Sequence, residues 1–329
     1  MDVKTAFLHG NLDESLLIHI PEGNSPSLKG DVCLKLKKFL YGLKQSPGNW
    51  HLCNKRFFVD SGFWLSAADP CLFIRNDKDP CFVFLHVYDL VIGVKNIQNF
   101  QSEISLEFEM KDLDKLQYVL EMKVKRDREK RVLFLSKELY VGNVLACFGM
   151  QDCSSVATPQ VPGSRLLPRM DTNAPAASTN YCHTIGILNY LVTFTRSDLA
   201  YSTSCMAQFL NDPRSDHEAA FKHVLCYLNG TWSWGISLEE LGNNSEMITY
   251  CDSNWGSNFD SQSFSGSCLF FYGRMGWKTS KQDVVALSST EAEYSAIQPV
   301  AGTKSIPKLL LCSLLELRRR AFRLLLSIT

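Results

Sequence analysis

The chain has 329 residues, enough for roughly two domains at about 150 residues each. Its hydrophobic share of 45% is ordinary for a soluble globular protein, and 34 Lys+Arg balance 34 Asp+Glu. That balance excludes a uniformly basic nucleic-acid coat or an acidic tail, while leaving room for a local basic groove. No apolar run reaches the roughly 18 residues that cross a bilayer, and the opening MDVKTAFLHGNLDE lacks the pattern of a secretory signal, so an intracellular chain with no membrane partner is expected. The 12 Cys form no Cys-x-x-Cys pair, which argues against structural zinc and for reduced, mostly buried thiols.

In chain order, residues 32–149 mix strand and helix patterns. Residues 81–87 (CFVFLHV) and 90–94 (LVIGV) are apolar runs of strand length, which predicts a hairpin with Tyr88 and Asp89 at its tip. His86, on an apolar strand, reads as a buried and satisfied imidazole. Residues 96–109 predict a helix with Ile97, Phe100, Ile104 and Phe108 on one face. Residues 153–180 carry four Pro among small and polar residues, which predicts an extended connection between two domains. Beyond it, Ser215 or Asp216 can cap a helix whose apolar face is Phe221, Val224, Leu225 and Leu228, and Gly230 can end it. Residues 247–251 and 267–272 read as strands and 290–297 as a helix, while the Leu- and Arg-rich end shows no clean period. No Gly-rich phosphate loop and no nucleophile elbow appears.

Four carboxylates stand near these elements: Asp2, Asp89, Asp252 and Glu293. Taken singly, each reads as a solvated or capping residue. What separates them is the series MDVKTAFLHGNLDE, LKKFLYGLKQSPGNW, DPCLFIRND, DLVIGVKN, FEMKDLDKLQYVLEMKV, LSKELYVGNVLACFGMQDCSSVATP, TRSDLAYS, YCDSNWGS and KQDVVALSSTEAEY. In this order the words resemble the reverse transcriptase and ribonuclease H region of copia-type (Ty1/copia) retrotransposon polyproteins, from residue 1 to about 297.

The resemblance implies an α/β (α+β) chain: a right-hand polymerase palm and thumb over 1–152, a linker over 153–180 and a helical connection over 181–245. A partial ribonuclease H-like domain would follow over 246–300, then a divergent tail over 301–329. It implies two Mg²⁺ ions per site and, as partners, an RNA template, a DNA primer, an RNA–DNA hybrid and deoxynucleoside triphosphates. Asp2 and Asp89 match palm metal ligands, Phe7 the aromatic that selects deoxynucleotides, and Tyr41, Gly42, Lys44 and Gln45 the loop that supports nucleotide and template. Core packing serves equally for Phe7. Lys35, Lys37, Lys38 and Lys44 would add a basic surface, or a merely solvated face. Asp252 and Glu293 match ribonuclease H carboxylates, with Glu291 the lesser choice.

Departures from the family follow the same words. Where members read Tyr-Val-Asp-Asp, this sequence reads His86-Val87-Tyr88-Asp89, so Tyr88 takes the place of a metal-binding aspartate and a catalytic defect is expected. The chain starts one residue before Asp2, where members carry a fingers segment; a truncated polymerase with a fraying Asp2 is expected. The third ribonuclease H carboxylate has no counterpart after residue 297. Ser197, Asn229 and Asn254 replace a Pro, a base and an acid. A non-catalytic nucleic-acid-binding remnant and an unselected translated fragment are the alternative expectations.

Overall fold

The computed structural model describes all residues except 11, 13, 22–32, 68, 77–79, 95, 169–179, 240–246, 271–272 and 306–329. The chain is a mixed α+β protein of two compact units, one built on Met1–Leu116 and the other on Gln117–Pro307. Residues 306–329, with most of the tail expected over 301–329, lie outside the described residues, as do most of the Pro-rich residues after 168.

The first unit is a six-stranded antiparallel sheet with helices on one face. Its strands are β1 (Asp2–Val3), β4 (Trp64–Leu65), β5 (Leu72–Arg75), β6 (Cys81–His86), β7 (Asp89–Gly93) and β8 (Met110–Lys111), in the order β4-β5-β6-β7-β1-β8. A separate hairpin joins β2 (Leu17–His19) to β3 (Cys33–Lys35). Helix α1 (Ser46–Asp60) buries Trp50, Asn54 and Phe58, one residue per turn, and α2 (Ile97–Ser105) buries Phe100 and Ile104. These stripes close over Val3, Cys81, Val83, Leu85 and Leu90 of the sheet to form one core. Phe108 joins that core from beyond the end of α2, so the helix is shorter than its apolar spacing predicts. Gly93 pairs with Phe82 across β6 and β7, and a Cβ there would fall 1.9 Å from the Phe82 ring; only glycine lets that ring lie flat over its neighbour.

The second unit opens with β9 (Tyr118–Val119), β10 (Met122–Asp127) and β11 (Val132–Ser136), which form a sheet in the order β12-β11-β10-β9 with the later β12 (Gly235–Glu239). Helices α3 (Glu138–Cys147), α4 (Tyr181–Phe194), α5 (Ala200–Ala207) and α6 (Ser215–Gly230) share a second core built on Val141, Leu188, Leu199, Phe221, Val224 and Leu228. A third sheet, β13 (Ile248–Asn254), β14 (Phe264–Phe270) and β15 (Arg274–Lys281), is antiparallel and carries α7 (Ser289–Ser305) packed against β13.

Several expectations change here. The unit boundary falls at 116/117, and residues 138–147 share a core with the helices that follow 180. Residues 153–168 are irregular, but they are not a free tether: they are tied along α6. Asn229 Nδ2 donates to the Cys153 carbonyl (2.8 Å), His223 Nε2 meets the Thr158 carbonyl (3.0 Å), and His217 Nε2 meets the Leu167 carbonyl (3.0 Å). Arg214 Nη1 reaches the Pro168 carbonyl (3.3 Å). Proline lacks a backbone N–H, so the segment's carbonyls are met partly by local bonds, such as Ser164 N–H to the Val161 carbonyl (3.1 Å), and partly by side chains of α6 and of Arg214 before it. The N-terminus of α6 is closed by neither Ser215 nor Asp216; His217 Nδ1 accepts from the Arg214 N–H at 3.0 Å. The cysteines are not mostly buried: among the described residues only Cys81 and Cys205 are, because most of the others sit on helix surfaces and strand edges.

Candidate functional site

The backbone of β1 fixes the relation between the first two carboxylates. Asp2 lies directly opposite Asp89 of β7 and, on its other side, opposite Lys111 of β8. The flanking hydrogen bonds run from Leu90 N–H to the Met1 carbonyl (2.8 Å) and from Val3 N–H to the Tyr88 carbonyl (3.1 Å). Asp2 and Asp89 are therefore the narrow pair of an antiparallel ladder, in which side chains approach most closely. Far from fraying, Asp2 is held in an interior strand between two partners, because both its backbone edges are taken up by the ladder.

Asp89 also faces His86 across the hairpin. Directly paired residues leave a sheet on the same side, so one row crosses four strands: His86, Asp89, Asp2, Lys111. It lies on the face opposite the helical core, since the alternate residues Leu85, Leu90 and Val3 are the buried ones. His86 is accordingly exposed, not a buried imidazole, because it ends the strand on the outer face. Burial, and then the charge of Asp2, push the Asp89 carboxyl above the usual carboxylate range, and the His86 ring pulls it back in part.

The hairpin turns at Val87 and Tyr88, one residue earlier than its sequence predicts, so Asp89 is the first residue of β7 and not part of the tip. Val87 takes a φ of 54°, a left-handed conformation that a β-branched residue rarely adopts. The Trp50 indole N–H of α1 donates to its carbonyl at 2.5 Å and holds the turn there. Tyr88 is 40% exposed. Sequence reasoning passed over Trp50 and Lys111; the only signal for Lys111 was its place in a word, FEMKDLD, whose strand is two residues long.

The LYGLKQSP segment leads into α1. Gly42 has a φ of 93°, which only glycine takes without strain. Ser46 Oγ donates to the Leu40 carbonyl at 2.6 Å and closes the loop. Tyr41 is exposed, with its ring 4.5 Å from that of Phe7. Phe7 is 6% exposed and belongs to the core, so it packs and at the same time backs an exposed ring. Lys44 and Gln45 are exposed, as are Lys35, Lys37 and Lys38.

In the second unit Asp252 is exposed on β13, and Glu293 is half-buried on α7, the helix packed against that strand. Glu291 is taken up by the helix start: its Oε2 accepts from the Leu287 N–H (2.7 Å), and its own N–H donates to Ser288 Oγ (3.1 Å). Asn254 accepts from the Phe264 N–H (2.6 Å) and donates to the Tyr201 hydroxyl (3.2 Å), a two-way contact that a carboxylate could not make. Among the described residues no three His, Cys, Asp or Glu side chains gather in a metal-binding group.

Residues 1–162 match the family model described as reverse transcriptase (RNA-dependent DNA polymerase). The chain is 34% identical over 90% of its length to the retrovirus-related Pol polyprotein from transposon TNT 1-94 of Nicotiana tabacum, covering 23% of that protein. It is 32% identical over 96% of its length to the Pol polyprotein from transposon RE1 of Arabidopsis thaliana, covering 21% of it, and 32% identical to that from transposon RE2, again covering 21%. The chain thus spans about a fifth of the length of these relatives.

Proposed function

The chain belongs to the reverse transcriptase family, as the corresponding region of a copia-type retrotransposon Pol polyprotein, and on that premise we propose that its first unit is a polymerase palm with a defective metal site. The observation that carries this reading is the facing pair Asp2–Asp89 with Tyr88 in the turn beside it. Two carboxylates held against their own repulsion suit a hard divalent cation, whose charge would relieve the strain. A donor set of two carboxylates suits one such ion; the two-ion arrangement of this chemistry needs a third acidic ligand, and the phenol of Tyr88 is not one. Asp2 and Asp89 would hold the ion, which when bound lowers the pKa of a hydroxyl and neutralises phosphate charge. The work left to the chain's own residues is binding. The exposed lysines around β3 and the α1 loop would meet nucleic-acid phosphates, and Tyr41, backed by Phe7, offers a ring for a base or sugar.

The second unit, in this reading, holds the ribonuclease H-like part, with Asp252 and Glu293 as its remaining carboxylates. What supports it is the packing of α7 on the strand that carries Asp252, and the use of Glu291 in helix capping. A second reading, a binding remnant without catalysis, is favoured by the exposed lysines alone.

Primer extension on an RNA template with Mg²⁺ and deoxynucleotides tests the proposal. The expected result is no extension above a no-protein control, together with salt-sensitive binding of the primer–template. Extension by the unaltered chain that is lost in Asp89→Asn would overturn the defect. Binding no stronger than that of an unrelated neutral protein would overturn the nucleic-acid reading.

A further inference from the structure

We propose that Cys153 and Cys226 form an oxidisable dithiol, a disulfide site that fastens the start of the 153–168 segment to helix α6. Two contacts place the residues together. Asn229 Nδ2 holds the Cys153 carbonyl at 2.8 Å, and Asn229 lies three residues beyond Cys226, on the same face of α6. Two residues after Cys153, Ser155 packs on Gly230, where a Cβ would fall 2.8 Å from the Ser155 Cβ. Residues 153–155 therefore lie across the last turn of α6, and the Cys153 thiol comes to rest beside that of Cys226. Both are half-buried, within reach of a small oxidant but not freely exposed. Burial first, and then the neighbouring Cys226 thiol, raise the pKa of Cys153; exchange is thus slow at neutral pH and quickens as the solution becomes alkaline.

The oxidant class is a small-molecule disulfide such as oxidised glutathione. One cysteine thiolate attacks a glutathione sulfur, forming a mixed disulfide and expelling one glutathione thiolate. The other cysteine thiolate attacks the cysteine sulfur of that mixed disulfide and expels the second. The chain loses two electrons and two protons, and two reduced glutathiones leave. The bond closes a loop that holds α4 and α5 as well as the segment, and it adds a covalent tie at the end of the stretch that the Asn229 hydrogen bond already holds.

Peptide mapping without reduction, after the folded full chain is treated with oxidised glutathione and its remaining thiols are alkylated, tests this. The expected result is a cross-linked peptide pair joining Cys153 to Cys226 as the dominant product, reversed by dithiothreitol. It forms roughly fivefold more slowly in Asn229→Ala, which loses one hydrogen bond. Proteolytic nicking within 153–168 slows on oxidation, and the protection is absent in Cys226→Ser. Thermal unfolding of each variant separates loss of the cross-link from loss of the fold. Cross-links between Cys153 and Cys147 or other cysteines as frequent as that to Cys226, or the same yield from urea-unfolded chain, would overturn the proposal.

Discussion

Asp89 is where the physics of single residues bears hardest on the account. Its carboxyl is raised by burial and by facing Asp2, so in the folded chain it releases its proton at a higher pH than in the unfolded chain. The unfolded state ionises first as the pH rises through the ordinary carboxylate value, and stability then falls until the folded carboxyl has ionised too, after which the penalty stays constant. Asp89→Asn removes that penalty. It is expected to raise the unfolding temperature near pH 7 and to leave it nearly unchanged near pH 3, which thermal melts at the two values check. A divalent cation should stabilise the unaltered chain and have little effect on Asp89→Asn, because a ligand that binds only the folded state stabilises by mass action. Lys111 and His86 flank the pair in the same row; Lys111→Glu would add a third negative charge and is expected to lower the melting temperature at low salt more than at high salt.

Elements are held by polar ties that their apolar patterns do not announce. The TRSD word is the clearest case. Arg196 is 1% exposed, grips both oxygens of Asp198, and donates to the carbonyl and hydroxyl of Thr231 at the end of α6. Tyr227 of α6 donates to the same Asp198 at 2.9 Å, and its hydroxyl pKa is pushed up to about 12 by burial and then by that carboxylate. Arg196 thus pins the C-terminal turn of α6 to the connection before α5. Asp198→Ala would leave the guanidinium buried without its anion and is expected to cost about 3–5 kcal/mol in denaturant unfolding, whereas breaking an exposed pair such as Lys4–Glu109 should cost far less. Ser197 sits within that same short turn. The stripe and the far end of α6 were legible in its sequence because its apolar spacing and Gly230 are local signals, whereas its start is closed by Arg214 and His217 and not by the expected caps. The hairpin was legible except for its tip, since a left-handed Val87 held by Trp50 is decided 37 residues away. The partners of residues 153–168 were not legible, because prolines report what the backbone cannot do, not which side chains will satisfy it. The strand β15 and the sheet β9–β11 were not assigned at all; in β10 charged and apolar residues mix and none is fully buried, which leaves its sequence without a clear strand pattern.

For the whole molecule, the two units carry separate cores, one around Phe58 and Phe73, the other around Phe221 and Leu228. Two transitions are therefore expected in calorimetric unfolding. Phe58→Ala should lower one and Phe221→Ala the other, each by about 3–5 kcal/mol, and a single transition moved by both would contradict the division. The family was legible in the long words of the sequence, and the structure adds the geometry that those words leave out: the carboxylates at positions 2 and 89 face each other in the narrow pairing of a sheet. The measurement that tests this most directly is Mn²⁺ titration by calorimetry of the unaltered chain, Tyr88→Asp and Asp89→Asn. The account predicts one weak site in the unaltered chain and none in Asp89→Asn; in Tyr88→Asp it predicts binding at least about tenfold tighter, with a second ion. Two ions bound by the unaltered chain as tightly as by Tyr88→Asp would contradict it.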